Sequence, residues 1–303
     1  MSAPPDYGSL GLKSLLVSLD GGVAVLTINR PKERNTFGGT LPEEVITLFD
    51  LLDRDDRVRV VVLTAEPKAP AFCSGADLSG GWGGSFSEET LKEGKLTAHR
   101  DGGGRVSLAI HRCRKITIAA VNGHAVGVGV TAFQLPFDFR FVWGGAKLAL
   151  PFVRRGIGPE ASSTYILPRL LGHSKATALL LTGGTFHPSS PYLQGLYHSI
   201  LPTREEVLPA ALALAHDLAV NTSQTAVAYT KALLWHGGDS VEEQHLLDSR
   251  VFVETTSARD AKEGARAFVE RREPRFEDRL GEDMSDWYPW WREMDVKHRK
   301  AKL

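Results

Sequence analysis

The chain has 303 residues, enough for one large domain or for a core with a smaller appendage. Its 36 basic residues balance 36 acidic ones, so no overall electric field would attract nucleic acid or an anionic membrane. Two cysteines, Cys73 and Cys113, cannot form a disulfide framework, and no apolar run is long enough to span a bilayer. We therefore expect neither nucleic acid nor a membrane among the partners, and any anionic ligand must be held by local groups.

The first part of the chain predicts a hairpin followed by a helix and a buried strand. Residues Val17–Leu19 and Val23–Asn29 are β-branched apolar runs separated by a glycine-containing turn, which is typical of a hairpin. Thr40 with Glu43 three residues later forms the sequence pattern of a capping box, so a helix is predicted to begin there. Val58–Thr64 is apolar almost throughout and predicts a strand covered on both faces.

A turn-forming segment with the sequence AFCSGADL follows that buried strand, at residues 71–78. Residues 79–104 are glycine-rich, and we interpret them as a flap or surface loop, with disorder as the alternative. Helical periodicity returns at Val106–Cys113.

The stretch Lys115–Asp138 has the features of an anion site built from backbone. It begins with the apolar run 116–121, which predicts a buried strand, and Gly127 and Gly129 then flank Val128 where a helical pattern starts. Glycines permit a sharp turn and a close approach. Amides at a helix start have no partner inside the helix, so they are available to negative charge.

The remaining pattern has two more strands and then helices. Short strands are predicted at Phe139–Trp143 and Lys147–Leu150, and a helix that stops at Gly172 follows the loop 151–163. The later helices are predicted at Ser174–Leu181, Thr203–Val220 (with Pro209 favouring a later start), Ser223–Trp235 and Ser240–Thr256, with capping boxes at Thr203/Glu206 and Ser240/Glu243.

Several of these segments together resemble a known family. The segments 71–78 and 120–130, about fifty residues apart, resemble the two signature loops of the crotonase superfamily, also called the enoyl-CoA hydratase/isomerase family. The loop 29–36, the segment 181–202 and the helical segment 257–276 are also similar to the family pattern. The resemblance covers roughly residues 15–277.

The resemblance implies an α/β fold of the ClpP/crotonase type, a spiral of ββα turns with two roughly perpendicular sheets. It divides the chain into a spiral core at 1–202, a helical trimerisation part at 203–277 and a tail at 278–303. The implied assembly is a homotrimer or a dimer of trimers. The role of the aromatic segment Trp287–Trp291 in the tail stays open.

The implied substrate is an acyl-CoA thioester, with no cofactor beyond the coenzyme A of the substrate and no metal. The resemblance assigns the amides of Ala76 and Val128 to the thioester oxygen. A preorganised donor of this kind is worth about 10²–10³ in rate. Substrate or CoA contacts are implied at Arg34, Thr36, Ser74, Gly75, Asp77, Leu78, Gly127 and Pro159, and for the phosphates at Arg271 or Arg272.

The catalytic carboxylates indicate which reaction is expected. At the two positions where hydratases of the family carry glutamate, this chain has Thr131 and Phe152. Glu160, eight residues after Phe152, resembles the single catalytic glutamate of peroxisomal-type Δ3,Δ2-enoyl-CoA isomerases. We therefore predict an isomerase of fatty-acid β-oxidation, in which Glu160 moves a proton from C2 to C4 of an oxyanion-stabilised dienolate.

Other interpretations remain open at this point. Glu160 at a helix start is also favourable for capping and dipole reasons alone. The chain would then be a hydratase with relocated acid and base groups, or a non-catalytic acyl-CoA-binding protein. A dinucleotide fingerprint at 127–132 is disfavoured, since no acidic residue follows about twenty positions later.

The last three residues, Ala301-Lys302-Leu303, have the form of a C-terminal peroxisomal address. The first ten residues have neither a hydrophobic signal core nor an arginine-rich amphipathic pattern, so export and mitochondrial import are not expected. These features predict a peroxisomal protein that the peroxisomal import receptor recognises, with a cytoplasmic location as the alternative.

Overall fold

The computed structural model describes residues 4–77 and 99–296. Most of the predicted flap, Leu78 and the terminal tripeptide 301–303 lie outside the described residues. No helix of the described part is long and apolar enough to cross a membrane.

A six-stranded sheet forms the centre of the molecule, in the order β1-β2-β3-β4-β6-β9. Strands β1 and β2 are antiparallel, and every other neighbouring pair in this sheet is parallel. A second sheet has three short strands in the order β5-β7-β8. The strands are β1 Leu15–Asp20, β2 Val23–Ile28, β3 Val60–Ala65, β4 Ile116–Val121, β5 Ala125–Val126, β6 Phe139–Trp143, β7 Leu148–Ala149, β8 Thr185–Phe186 and β9 Ser199–Leu201.

Nine α-helices lie in the described residues: α1 Leu41–Arg54, α2 Gly102–Arg112, α3 Val128–Thr131, α4 Ser163–Leu171, α5 His173–Thr182, α6 Val207–Asn221, α7 Gln224–Trp235, α8 Val241–Ser257 and α9 Arg259–Glu270. The predicted α/β class with two sheets is confirmed.

The large sheet is buried on both faces, which explains why β3 and β4 consist of apolar residues. Along β3, Val61 and Leu63 belong to a core cluster that includes α1, α2, α4 and α5. Val60 and Val62 point to the other face, where α6 packs with Ala211 and its other small residues. Both strands are buried at every position.

Two predicted helix starts are wrong, and the predicted capping box at Thr40 does not form although Thr40 is the N-cap residue of α1. The Thr40 hydroxyl pairs with Ser14 at 2.9 Å and does not cap α1, which begins one residue later. Helix α2 begins at Gly102 and not at Val106, because Asp101 caps a first turn made of glycines. Helix α6 begins at Val207, after the predicted capping box, as Pro209 suggested. The Ser240 cap of α8 is confirmed, since its hydroxyl accepts from the Glu243 N–H at 3.1 Å.

The segment after α9 returns over the helical layer to α2. Trp290 donates its indole N–H to the His236 carbonyl at 2.9 Å, and Trp291 stacks on the His236 ring. Farther along, Arg112, the last residue of α2, and Arg100, which lies shortly before the helix, donate to carbonyls at 294 and 296. The tail is thus attached to both ends of α2.

Candidate active site

The two loops singled out in the sequence lie side by side. The backbone N–H of Val126 donates to the Cys73 carbonyl at 3.0 Å, and that of Phe72 donates to the His124 carbonyl at 3.0 Å. A Cβ at Gly129 would lie 2.6 Å from the Cys73 carbonyl oxygen, so this close approach requires glycine. The loops therefore form one unit, although they are far apart in sequence.

Among the described residues, the backbone N–H groups of Ala76 and Val128 have no hydrogen-bond acceptor. Phe37 accepts from the Asp77 N–H and donates to the Gly75 carbonyl, so the Ala76 amide between them faces the other way. Val128 is the first residue of α3, and amides in the first turn of a helix have no partner inside it. Each loop thus contributes one backbone donor.

Glu160 lies in the loop before α4, where the backbone is strained. The next two residues, Ala161 and Ser162, have φ of 58° and 56°, the left-handed region that non-glycine residues rarely adopt. This bend turns the Glu160 side chain inward, where the buried Thr131 hydroxyl donates to its Oε1. Thr131, which stands where hydratases of the family carry glutamate, therefore contacts the predicted base.

Helix α2 brings Glu160 and Val128 together at Gly103. A Cβ at Gly103 would overlap Oε2 of Glu160 and would lie 3.2 Å from Cγ2 of Val128. The carboxyl group thus packs against bare helix backbone beside the residue whose amide begins α3. The structure brings the predicted base and one predicted donor to the same place.

Burial raises the pKa of Glu160 from 4.5 to about 8. The hydrogen bond from Thr131 acts in the opposite direction, and the neighbouring Asp101 carboxyl raises the pKa further. No cation of the described residues is among the groups that shift it. Near neutral pH the group therefore binds and releases a proton readily, as a general base must.

Asp101 is a site residue that the sequence analysis missed. Its Oδ1 accepts from the N–H groups of Gly104 at 2.5 Å and Ala161 at 3.4 Å, and its negative charge raises the pKa of Glu160. An aspartate directly before a helix is a capping signal. Here the signal was hidden because the three glycines after Asp101 resemble a loop.

Neither former hydratase position carries a carboxylate. Thr131 is fully buried in α3, and Phe152 is buried with its ring near Gly127. Gly127 itself has φ of 53°, a left-handed conformation, and its N–H donates to the Ala149 carbonyl at 2.8 Å. Pro159, before Glu160, is half-buried.

The loop around Arg34 lies beside the segment 71–77. The Ser74 N–H donates to the Arg34 carbonyl at 3.3 Å, and the Arg34 side chain is exposed. Both backbone groups of Thr36 are engaged inside its own loop. The sequence analysis missed Asn35, whose buried side chain donates to the Ala71 carbonyl at 2.9 Å and so ties the two loops together.

The other predicted binding residues have mixed surroundings. Gly75 is buried with φ of 97°, while Asp77 is exposed at the end of the described segment. Arg272 is held by Glu263 and Glu270, each at 2.6 Å, whereas Arg271 ends α9 in a left-handed conformation.

Two groups that could in principle take part in chemistry, the Cys73 thiol and the Asp138 carboxyl group, have structural roles. Burial raises the pKa of the Cys73 thiol to about 12, so a thiolate nucleophile is not available there. Asp138 accepts from the Thr117 N–H and hydroxyl and pairs with Lys231 at 2.7 Å. Within residues 4–77 and 99–296, no cluster of three side chains could hold a metal ion.

The family model and the similar proteins found for this chain agree with one another. Residues 18–279 match the family model for enoyl-CoA hydratase/isomerase. The enoyl-CoA hydratase AFT3-1 of Alternaria alternata is 41% identical over 88% of this chain and 86% of its own length. The mevalonyl-coenzyme A hydratase SIDH of Beauveria bassiana is 30% identical, over 84% of this chain and 91% of its own. A probable enoyl-CoA hydratase/isomerase structure from Mycobacterium abscessus superposes with a TM-score of 0.75 at 38% identity, covering 88% of this chain and 98% of the other.

Proposed function

The chain belongs to the enoyl-CoA hydratase/isomerase family, and we propose that it is a Δ3,Δ2-enoyl-CoA isomerase that uses one base. As a member of this crotonase family it is an acyl-CoA enzyme. One observation carries the finer proposal. Glu160 is the carboxyl group beside Val128, whereas Thr131 and Phe152 occupy the two hydratase positions.

In the proposed reaction, the Glu160 carboxylate removes a proton from C2 of a 3-enoyl-CoA. The C2–H electron pair forms the C2=C3 bond in the product, and the old C3=C4 pair takes the proton back at C4. Between the two steps the negative charge lies on the thioester oxygen, where the amides of Ala76 and Val128 would stabilise it. The reaction needs no cofactor beyond the coenzyme A of the substrate.

The surroundings of Glu160 favour this role. A base whose pKa lies near the operating pH combines a useful ionised fraction with sufficient proton affinity, and the pKa of Glu160 is raised to about 8. Burial also restricts exchange of the transferred proton with water. The hydroxyl of Thr131 fixes one carboxyl oxygen and so orients the carboxyl group.

The test is turnover of trans-3-hexenoyl-CoA deuterated at C2, with Glu160→Gln and, as a matched control on α8, Glu254→Gln. We expect wild type and Glu254→Gln to form 2-hexenoyl-CoA that carries part of the deuterium at C4, because one group moves the proton. Glu160→Gln should lower kcat by about 10²–10⁴. Wild-type turnover by Glu160→Gln would overturn the proposal.

Enoyl-CoA hydratase is the second candidate. A relative 41% identical over 88% of this chain is named as a hydratase, and Asp101 supplies a second carboxyl group beside Glu160. A hydratase would add water to 2-hexenoyl-CoA and incorporate ¹⁸O from labelled water at C3. Inactivity on both substrates with retained CoA binding would instead indicate a binding protein.

A trimer or a dimer of trimers is proposed as the assembly. Apolar side chains that a monomer leaves exposed on α8 and α9 support it, among them Phe252 at 68% and Phe268 at 85% exposure. Light scattering on the purified protein should give a multiple of three subunits.

A peroxisomal location is proposed from Ala301-Lys302-Leu303. A fluorescent protein fused to the N-terminus should accumulate in peroxisomes, and removal of the three residues should return it to the cytoplasm. A fusion protein that still accumulates in peroxisomes after the deletion would contradict the proposal.

A further inference from the structure

Asp101 has no role in the mechanism described so far. It is the capping residue of α2, and the Gly104 N–H donates to its Oδ1 at 2.5 Å. One such bond is what a helix cap requires. Asp101 also accepts from the Ala161 N–H at 3.4 Å, and its negative charge raises the pKa of Glu160.

Two carboxyl groups in contact cannot both be ionised without strong repulsion, so the pair retains a proton. Asp101 is exposed and accepts from two backbone N–H groups. Glu160 is largely withdrawn from water, which favours its neutral form. At pH 7 the proton is therefore held by Glu160, whose pKa is raised to about 8.

The Ala161 contact reaches the backbone that aims the base. Ala161 and Ser162 are both left-handed, a conformation that persists only where the surroundings hold it. Ala161 is fully buried, and its N–H is the group that faces Asp101. One carboxyl group thus touches both the side chain of Glu160 and the bend that follows it.

We propose that Asp101 is a positioning residue for Glu160, because it holds the Ala161 N–H in the bend that directs the Glu160 carboxyl group towards the thioester site. This proposal rests on the proposed role of Glu160 as the base. Its chemical consequence is that the negative charge of Asp101 favours the protonated form of Glu160, which is the form that exists after the base has taken the proton from C2.

The other described groups around Glu160 are uncharged, so Asp101 is its charged neighbour. From α3, the uncharged side chains of Thr131 and Val128 face it. From the loop after β3, the Cys73 thiol interacts with it electrostatically, but burial keeps that thiol protonated. Among the described residues, Asp101 from α2 is the anion that acts on the pKa of Glu160.

Asp101→Asn tests the proposal without removing the cap, since asparagine caps helices as well as aspartate does. The amide removes the negative charge and can donate to an ionised Glu160. We expect the acid limb of the kcat/KM profile to move down by about one pH unit, because a like charge is lost. We also expect kcat to fall about tenfold with little change in KM. An unchanged profile and an unchanged kcat would reduce Asp101 to a helix cap and overturn the proposal.

Ser240→Ala is the control for a lost cap, because Ser240 caps α8 away from the site. It should lower Tm and leave the pH profile unchanged. Glu160→Gln in the same series separates the two proposals. If it retains full turnover, the proposed function fails; if it is inactive while Asp101→Asn behaves as wild type, the Asp101 proposal alone fails.

Infrared difference spectroscopy gives a measurement that does not depend on turnover. A protonated-carboxyl band should be present in wild type at pH 7 and absent in Glu160→Gln. In Asp101→Asn the band should weaken at the same pH, because Glu160 ionises more easily. A band of undiminished strength in Asp101→Asn would show that Asp101 does not control the proton on Glu160.

Discussion

At the scale of single residues, the site combines a buried acid with two neighbours of opposite effect. Burial raises the pKa of Glu160, the Thr131 hydroxyl lowers it, and Asp101 raises it. Replacement of the hydratase glutamate by Thr131 has a physical consequence here, since a carboxylate at that position would repel Glu160. The small hydroxyl instead donates a hydrogen bond to it.

The raised pKa of Glu160 predicts a cost in stability at high pH. The folded-state pKa of about 8 exceeds the ordinary value of 4.5, so the group's contribution to stability is complete below 4.5. That contribution is lost as the pH rises through 8. Glu160→Gln, which is never charged, should therefore unfold at a higher temperature than wild type at pH 9, and the difference should shrink towards pH 5. Thermal unfolding followed by circular dichroism measures this, and a Tm difference independent of pH would contradict it.

At the scale of elements, the first turn of α2 faces the bend that carries Glu160. The three glycines that open α2 look like a loop in the sequence, yet the helix needs Gly103 because the Glu160 carboxyl occupies the space of its missing Cβ. The loop that carries Glu160 reaches the first turn of α2 because Ala161 and Ser162, which follow Glu160, have a left-handed backbone conformation. The site therefore depends on the shape of two element ends as much as on their side chains.

Gly103→Ala and Gly102→Ala form a matched pair for this packing. A Cβ at 103 displaces the flexible end of Glu160 and lies 3.2 Å from Cγ2 of the buried Val128, so stability should fall slightly while kcat falls about 10²-fold, as expected for a misplaced catalytic group. A Cβ at 102 meets Phe37 at 3.4 Å. Gly102→Ala should keep its activity and gain up to about 1 kcal/mol of helix stability. Equal kcat values for the two variants would show that Gly103 does not hold the base in place.

At the scale of the whole molecule, the described part of the tail contacts both ends of α2 and holds the helix in place. It packs aromatic rings on His236 and supplies carbonyl acceptors to Arg112, the last residue of α2, and to Arg100, which lies shortly before the helix. Arg100 directly precedes Asp101. The tail lies beyond the segment that matches the family model, which ends at 279. It is attached to α2, the helix whose first turn packs against Glu160.

Truncation after Asp283 should therefore affect both stability and turnover. Loss of the aromatic packing should lower Tm by several degrees. Loss of the acceptors for Arg100 and Arg112 should lower kcat, because the start of α2 is held less firmly. Deletion of 301–303 alone is the control and should change neither quantity in vitro. A truncated protein with wild-type kcat would show that the tail serves only stability or assembly.

The sequence by itself determined the layers of this fold and the identity of its main functional loops. Apolar runs such as 116–121 predict buried strands because both faces of a central parallel sheet are covered. Such a run can be recognised from the strand's own residues, without knowledge of the neighbouring strands. Glycine patterns located the turns around 75 and 127, since left-handed backbone favours glycine. The family resemblance rests on these same segments.

Only the tertiary structure decided what surrounds Glu160. The contacts of its carboxyl group with Thr131, Asp101 and the bare backbone at Gly103 join elements far apart in the chain, and no local pattern encodes such contacts. The false cap at Thr40 has the same origin, because its hydroxyl is taken by Ser14 on another element. Composition and periodicity report on burial, whereas the chemistry of a site depends on which groups the fold brings within hydrogen-bond distance.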